Sequence, residues 1–171
     1  LEADPRLAAV TGKFRAYTND RTLLTRLINI ESIASQWLLQ AGRWFFLRVA
    51  FLPGTNYLIR KDVLEKIGRW DENALAEDSE LTFRIYDAGY LIKFIPTAVS
   101  WEQEPETLKV WVRQRTRWAR GNNYLLSKYA GTIFRRRPKA MTFEILNLLF
   151  LYYLFMFAIV FSDALFVLSI F

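Results

Sequence analysis

The stretch QRTRW, Gln114 to Trp118, has side chains whose types and spacing can do chemistry together. Gln114, Arg117 and Trp118 stand at i, i+3 and i+4, so on a helix they share one face. An arginine beside a glutamine can hold the oxygens of a diphosphate, the guanidinium bidentately. An adjacent indole offers a flat apolar face to a sugar ring or a nucleobase. Arg115 is expected to point elsewhere. A core Trp118 with arginines turned to lipid phosphates fits the same spacing, and spacing alone leaves both readings open.

A second candidate is Glu77–Asp78 in ALAEDSELTFR. The pair opens a helix, where exposed N–H groups stabilise negative charge. Adjacent residues do not share a helix face, which weighs against the two facing carboxylates of a glycosidase. Either capping or service as a lone general base, should the helix start line a cleft, accounts for the pair. The third candidate is FLPGTNYLI. Gly54 lets the backbone approach a ligand closely, and Thr55 and Asn56 carry hydrogen-bonding groups. A turn between strands explains this segment equally well.

Composition limits the remaining chemistry. The 171 residues contain neither Cys nor His. Disulfides, thiolate nucleophiles, Ser-His-Asp triads and histidine metal clusters are excluded, and any general base is Asp, Glu, Lys or Tyr. The chain is 53% hydrophobic and 16% aromatic, enough to build a substantial core. Its net charge of +6 is local: from Thr107 to Phe143 there are many Lys and Arg but no Asp or Glu. Such a block implies an anionic partner, whether phosphate, nucleic acid or lipid headgroup.

Helices and strands alternate in the part that would position these residues, which predicts an α/β fold. RLAAVTGKFRAY reads as a strand region. TNDRTLLTRLINIESIASQWLLQAGRWFF reads as a long helix capped by Asn19 or Asp20. Its apolar stripe (Leu23, Leu27, Ile30, Ala34, Trp37, Ala41 and Trp44, widened by Leu24, Ile28, Leu38 and Phe45) predicts a core-facing side. YLIR is a short strand, KDVLEKIG a helix ended by Gly68, and AEDSELTFRIYDAG a helix ended by Gly89. YLIKFIP and TAVSWEQ read as strands separated at Pro96. The QRTRW helix is expected to carry Pro105 in its first turn and Glu106 near its positive end.

After RRRPK comes an apolar run over residues 142–162, with Asn147 the clearly polar side chain deep within it. Roughly 20 apolar residues span a bilayer core, so a transmembrane helix is expected there and the start of a second over 163–171. The arginine cluster places its flank, and the α/β part, on the cytoplasmic side. LEADPRLAAV lacks the marks of a signal peptide, and the chain stops amid apolar residues. The expectation is a piece of a longer, multi-pass cell-membrane protein.

In combination, PGTN, then ED, then QRTRW before a membrane segment resembles the membrane-bound family-2 glycosyltransferases. These include the processive cellulose, hyaluronan and poly-N-acetylglucosamine synthases. The resemblance covers nearly the whole chain. It implies residues 1–126 as the C-terminal, acceptor half of a GT-A-like (Rossmann-like) catalytic domain. A basic interfacial segment at 127–141 and the membrane helices follow. Asp78 matches the family's general base, which takes the proton from the acceptor hydroxyl, and Glu77 precedes it in the same motif. Gln114 and Arg117 match the groups that hold the nucleotide diphosphate. Trp118 matches the acceptor-site aromatic, and Gly54, Thr55 and Asn56 match a loop at the acceptor end of the cleft. PGTN stands where cellulose synthases carry a Cys-containing loop, which counts against a cellulose product.

The implied partners are a nucleotide sugar (UDP-glucose or UDP-N-acetylglucosamine), a polysaccharide or lipid-linked acceptor and the bilayer. The implied cofactor is Mg2+ or Mn2+. Its Asp-x-Asp ligands are expected upstream, with no metal site here, so this stretch alone is expected not to turn over. The nearest alternative is a non-processive lipid glycosyltransferase. A membrane-anchored nucleic-acid-binding module is more distant, because basic and aromatic side chains suit nucleic acid but no nucleic-acid fold signature is present.

Overall fold

A computed structural model gives the fold; it describes residues 1–2, 4–18, 20–129 and, further along, 131, 142, 147, 153, 154, 157, 158, 161, 162 and 165. Apart from those isolated positions, the expected spans at 142–162 and 163–171 and most of the basic segment lie outside the described residues. Among the described residues no helix is long and apolar enough to cross a membrane.

Strand β1 (Leu7–Ala16) is the centre of a three-stranded mixed sheet. β2 (Tyr57–Ile59) runs antiparallel to it, with Ala9 opposite Ile59. β3 (Leu91–Glu102) runs parallel, with Leu7 opposite Leu91 and Ala16 opposite Glu102. The sequence reads as two strands broken at Pro96, but the structure has one. Thr11 faces Phe94 and Lys13 faces Val99, so residues 95–98 stand against Gly12 alone and β3 carries three extra residues. Proline has no N–H for the ladder and is tolerated at a bulge, which is how the strand passes through Pro96.

The long helix is one right-handed run: α1 (Leu23–Ala34), a π-helical stretch (Ser35–Gln40) and α2 (Ala41–Leu47). Its cap is Thr22, in place of the expected Asn19 or Asp20. The Thr22 hydroxyl accepts from Thr25 N–H at 3.1 Å, and Thr25 Oγ1 accepts from Thr22 N–H at 2.9 Å. Asn19 lies outside the described residues; Thr22 directly precedes the first helical turn, where a cap must sit.

The buried side of this helix also differs from the expectation. Thr25, Ile28, Ser32, Gln36 and Gln40 are buried, while Leu23, Leu27, Ile30, Trp37, Leu38 and Phe45 are exposed, Leu38 to 74%. Of the apolar stripe, Ile28 is buried, and Ala41 and Trp44 pack half-buried against the core. At Gln40 the polar side supplies hydrogen bonds that the chain beneath it needs. Gln40 Nε2 donates to Phe51 C=O at 2.6 Å, and Gln40 Oε1 accepts from Phe51 N–H at 3.1 Å. A buried backbone segment without such partners would be costly.

Three further helices follow among residues 48–129: α3 (Lys61–Lys66), α4 (Glu77–Asp87) and α5 (Leu108–Tyr129). One core joins Ala8 and Ala9 of β1, Val63 of α3, Leu81 and Ile85 of α4, and Ile92 of β3. A second ties α4 to α5 through Phe83, Leu125 and Tyr129, with the Phe83 and Tyr129 rings stacked at 5.0 Å. α5 starts at Leu108, so Pro105 and Glu106 precede the helix. Pro105 is buried, and Glu106 accepts from Arg21 Nη1 at 2.8 Å.

Candidate active site

α4 and α5 bring the candidate residues together because one glycine permits it. A β-carbon at Gly121 would stand 2.6 Å from that of Ala76, the residue just before α4. Glycine at this crossing lets α5 lie directly on the start of α4. That places Glu77 and Asp78 across from Gln114, Arg117 and Trp118, which are one to two turns further back along α5.

Between them lies a cavity of about 360 Å³. Glu77 and Asp78 line it from α4, Gln114, Arg117 and Trp118 from α5, and Gly54 and Thr55 from the loop before β2. Glu102, at the C-terminal end of β3, closes one wall, in keeping with the tendency of α/β sheets to bind ligands beyond the carboxyl ends of parallel strands. Asn56 does not line the cavity. Its Nδ2 donates to Lys13 C=O at 2.8 Å and Ala98 C=O at 3.0 Å, so it bridges the bulge of the sheet. Its Nδ2 donors are thus given to the two strands.

The loop carrying Gly54 is pinned from beneath. Tyr86 Oη accepts from Ala50 N–H and donates to Ala50 C=O, both at 2.9 Å. Thr82 Oγ1 accepts from Leu52 N–H at 3.1 Å and donates to Asp78 C=O at 2.9 Å. The first turn of α4 and the loop are thus one hydrogen-bonded unit. Gly54 has φ +77°, and a β-carbon there would stand 2.9 Å from Asp78 Oδ2. Glycine is needed both for that backbone conformation and for the approach of the carboxylate.

Asp78 is half-buried, and its Oδ1 accepts from Ser79 N–H at 2.6 Å. Burial pushes its carboxyl above the ordinary aspartate range, and the neighbouring Glu77 carboxylate adds to the rise. Neither residue caps α4: Ala76 holds the N-cap position, with no side-chain cap bond. Arg117 is exposed on the cavity wall, where its Nη1 donates to Leu75 C=O at 3.3 Å. Gln114 Oε1 and Glu102 Oε1 are buried acceptors without a partner among the described residues. Buried polar atoms are normally paired, so these two are poised to receive donors from a bound molecule.

Sequence reasoning missed Glu102, Gly121 and Arg115. A lone glutamate at a strand end carries no spacing signal. Gly121 follows the quoted motif closely, but its role depends on what crosses it. Arg115 does not line the cavity and pairs with Glu31, but its guanidinium carbon lies 4.3 Å from the Trp118 ring centroid. Among the described residues no group of three or more acidic, His or Cys side chains is arranged to hold a metal ion. The residues present do not by themselves fit the divalent ion that the resemblance implies.

A mixed sheet flanked by helices thus carries a carboxylate, an arginine, a glutamine and an indole on one cavity. The chain belongs to the glycosyl transferase family group 2, which it matches over residues 1–171, and its sheet is consistent with a GT-A-like glycosyltransferase domain. It is 51% identical to the "Probable glycosyltransferase YdaM" of Bacillus subtilis (strain 168), over all of this chain and 41% of that protein. It is 32% identical to the "Poly-beta-1,6-N-acetyl-D-glucosamine synthase" of Staphylococcus aureus (strain COL), over 72% of this chain and 30% of that protein. The chain therefore spans less than half the length of these relatives.

Proposed function

We propose that this chain is the acceptor half of an inverting, membrane-embedded glycosyltransferase that extends a polysaccharide from a UDP-sugar at the cytoplasmic face. The observation that carries the reading is the convergence of Asp78, Gln114, Arg117 and Trp118 on one cavity of about 360 Å³. Asp78 takes the proton of the acceptor hydroxyl as its oxygen attacks the anomeric carbon. The bond from that carbon to the diphosphate oxygen breaks, and the nucleoside diphosphate leaves with the electron pair. A base whose pKa is lifted toward the working pH suits this transfer. Gln114 and Arg117 hold the departing diphosphate, and positive charge there stabilises the transition state. Trp118 carries the terminal acceptor sugar on its apolar face, keeping the reacting groups close.

The membrane placement is supported by the helix Leu23–Leu47. Its exposed apolar side (Leu23, Leu27, Ile30, Leu38, Phe45 and Phe46) suits the boundary of a bilayer, and RRRPK precedes the apolar run 142–162. The relative named as a poly-N-acetylglucosamine synthase favours UDP-N-acetylglucosamine over UDP-glucose as donor.

The test is sugar incorporation by the complete reading frame in membranes, from several UDP-sugars with Mg2+ or Mn2+, in wild type and Asp78→Asn. Polymer from the wild type, lost in the variant, is expected. An equally fast variant removes Asp78 as the base. A single sugar added to a lipid replaces the processive reading with lipid glycosylation.

A further inference from the structure

We infer that Arg115 is a positioning residue for Trp118, held in place by Glu31. The inference rests on Trp118 being the acceptor platform. Trp111, Arg115 and Trp118 stand at i−4, i and i+3 on α5, so they stack along one face. The Arg115 guanidinium carbon lies 4.3 Å from the Trp118 centroid and 5.5 Å from that of Trp111. Both distances are within reach of a cation–π contact. Trp118 lines the cavity. With one ring face covered by the guanidinium, the opposite face is left for a sugar.

The guanidinium plane is fixed from a different element. Arg115 Nη1 donates to Glu31 Oε1 at 2.8 Å, and Nη2 donates to Glu31 Oε2 at 2.6 Å. Such a two-bond fork sets orientation as well as distance. Glu31 lies on α1, one residue beyond the exposed Ile30 and four beyond the exposed Leu27. The Glu31 side chain is 52% exposed and that of Arg115 26%. Ion pairs so open to solvent add little to stability; this fork acts chiefly on geometry. It joins the helix with the outward apolar side to the indole in the cavity, so a shift of α1 is felt at Trp118.

The test uses the full-length protein in membranes, with the donor that wild type accepts and short oligosaccharides cut from the wild-type product as acceptor. Arg115→Met is expected to raise the acceptor KM about tenfold, with donor KM nearly unchanged, as misplacement of one reacting partner does. Arg115→Lys keeps a cation but loses the fork and should fall between. The exchange Glu31→Arg with Arg115→Glu restores the ion pair but leaves no cation on the ring. It is expected to leave thermal stability near that of wild type and not to recover acceptor KM; recovery of acceptor KM would reduce Arg115 to a tie between helices and overturn the inference. In a Trp118→Ala background, Arg115→Met should add nothing to acceptor KM. If Trp118→Ala raises acceptor KM and Arg115→Met does not, only this inference falls. If Trp118→Ala itself has no effect, the platform reading falls, and the inference with it.

Discussion

Asp78 and Glu80 sit two residues apart in the first turn of α4, and their surroundings are opposite. Glu80 is fully buried, and every oxygen is used. Oε2 accepts from Arg84 Nε at 2.7 Å, and Oε1 accepts from Lys128 Nζ at 2.7 Å and from Tyr129 Oη at 2.8 Å. Lys128 also donates to Asp71 Oδ2 at 2.7 Å, which Tyr124 Oη reaches at 2.6 Å. Burial opposes the Lys128 charge, but the bonds to Asp71 and Glu80 outweigh it and raise its pKa. Asp78 is half-buried, takes one backbone hydrogen bond, and turns Oδ2 toward Gly54. A carboxylate that the protein satisfies holds α4 and α5 together. One left partly unsatisfied is available to a substrate.

Breaking the available carboxylate should give the larger effect on rate. Asp78→Asn is expected to lower kcat by about 10²–10⁴-fold, the usual range for a general base, without lowering the melting temperature. Denaturation beside the incorporation assay checks both halves; a loss of stability matching the loss of rate would erase the contrast with Glu80.

Glu80→Ala should do the reverse. It leaves Lys128, Arg84 and Tyr129 without their shared partner, and removing one member of a buried pair costs about 3–5 kcal/mol. Equilibrium unfolding is the measurement, and a change below about 1 kcal/mol would mean that the cluster relaxes to solvent.

Gly121→Ala tests whether the two carboxylates depend on the same helix crossing. Its β-carbon would meet that of Ala76 at 2.6 Å, and overpacking of this kind costs about 1–3 kcal/mol. Because the clash lies at the start of α4, activity should fall before the fold does. Equal activity in a folded variant would separate the crossing from the site.

The gentlest test is pH. Asp78 is shifted upward, so activity should rise as pH climbs through its elevated range and the base ionises. With its folded pKa above the unfolded value, Asp78 contributes stability at low pH that is lost as pH rises through that range. Asp71 is shifted the other way, chiefly by Lys128 and then by Tyr124. Its contribution is present above the ordinary aspartate range and lost as pH falls below it. On acidification activity should therefore disappear before stability; coincident losses in rate and unfolding profiles would contradict the assignment.

Much of the cavity is legible in the chain itself. Gln114, Arg117 and Trp118 share a face because helix geometry brings i, i+3 and i+4 together; the acidic pair at a helix start offers Glu77 or Asp78, and the family resemblance singles out Asp78. The contacts of Asn56 and Arg115 are not legible in the chain itself, because they are long-range. The Asn56 amide is taken by two strands, and Arg115 is aimed by Glu31 from a helix far away in sequence.

Local order in the sequence determined the helices, the strands and the chemical types offered to the cavity, since periodicity, turns and missing His and Cys are properties of the chain alone. The tertiary structure decided which side of the 23–47 helix is buried. An apolar stripe shows where apolar surface is, and not what will cover it; here the backbone at Phe51 required hydrogen bonds that only Gln40 on the polar side supplied. It likewise decided that Asp78 opens onto the cavity while Glu80 is enclosed, because that depends on how closely α5 can approach across Gly121.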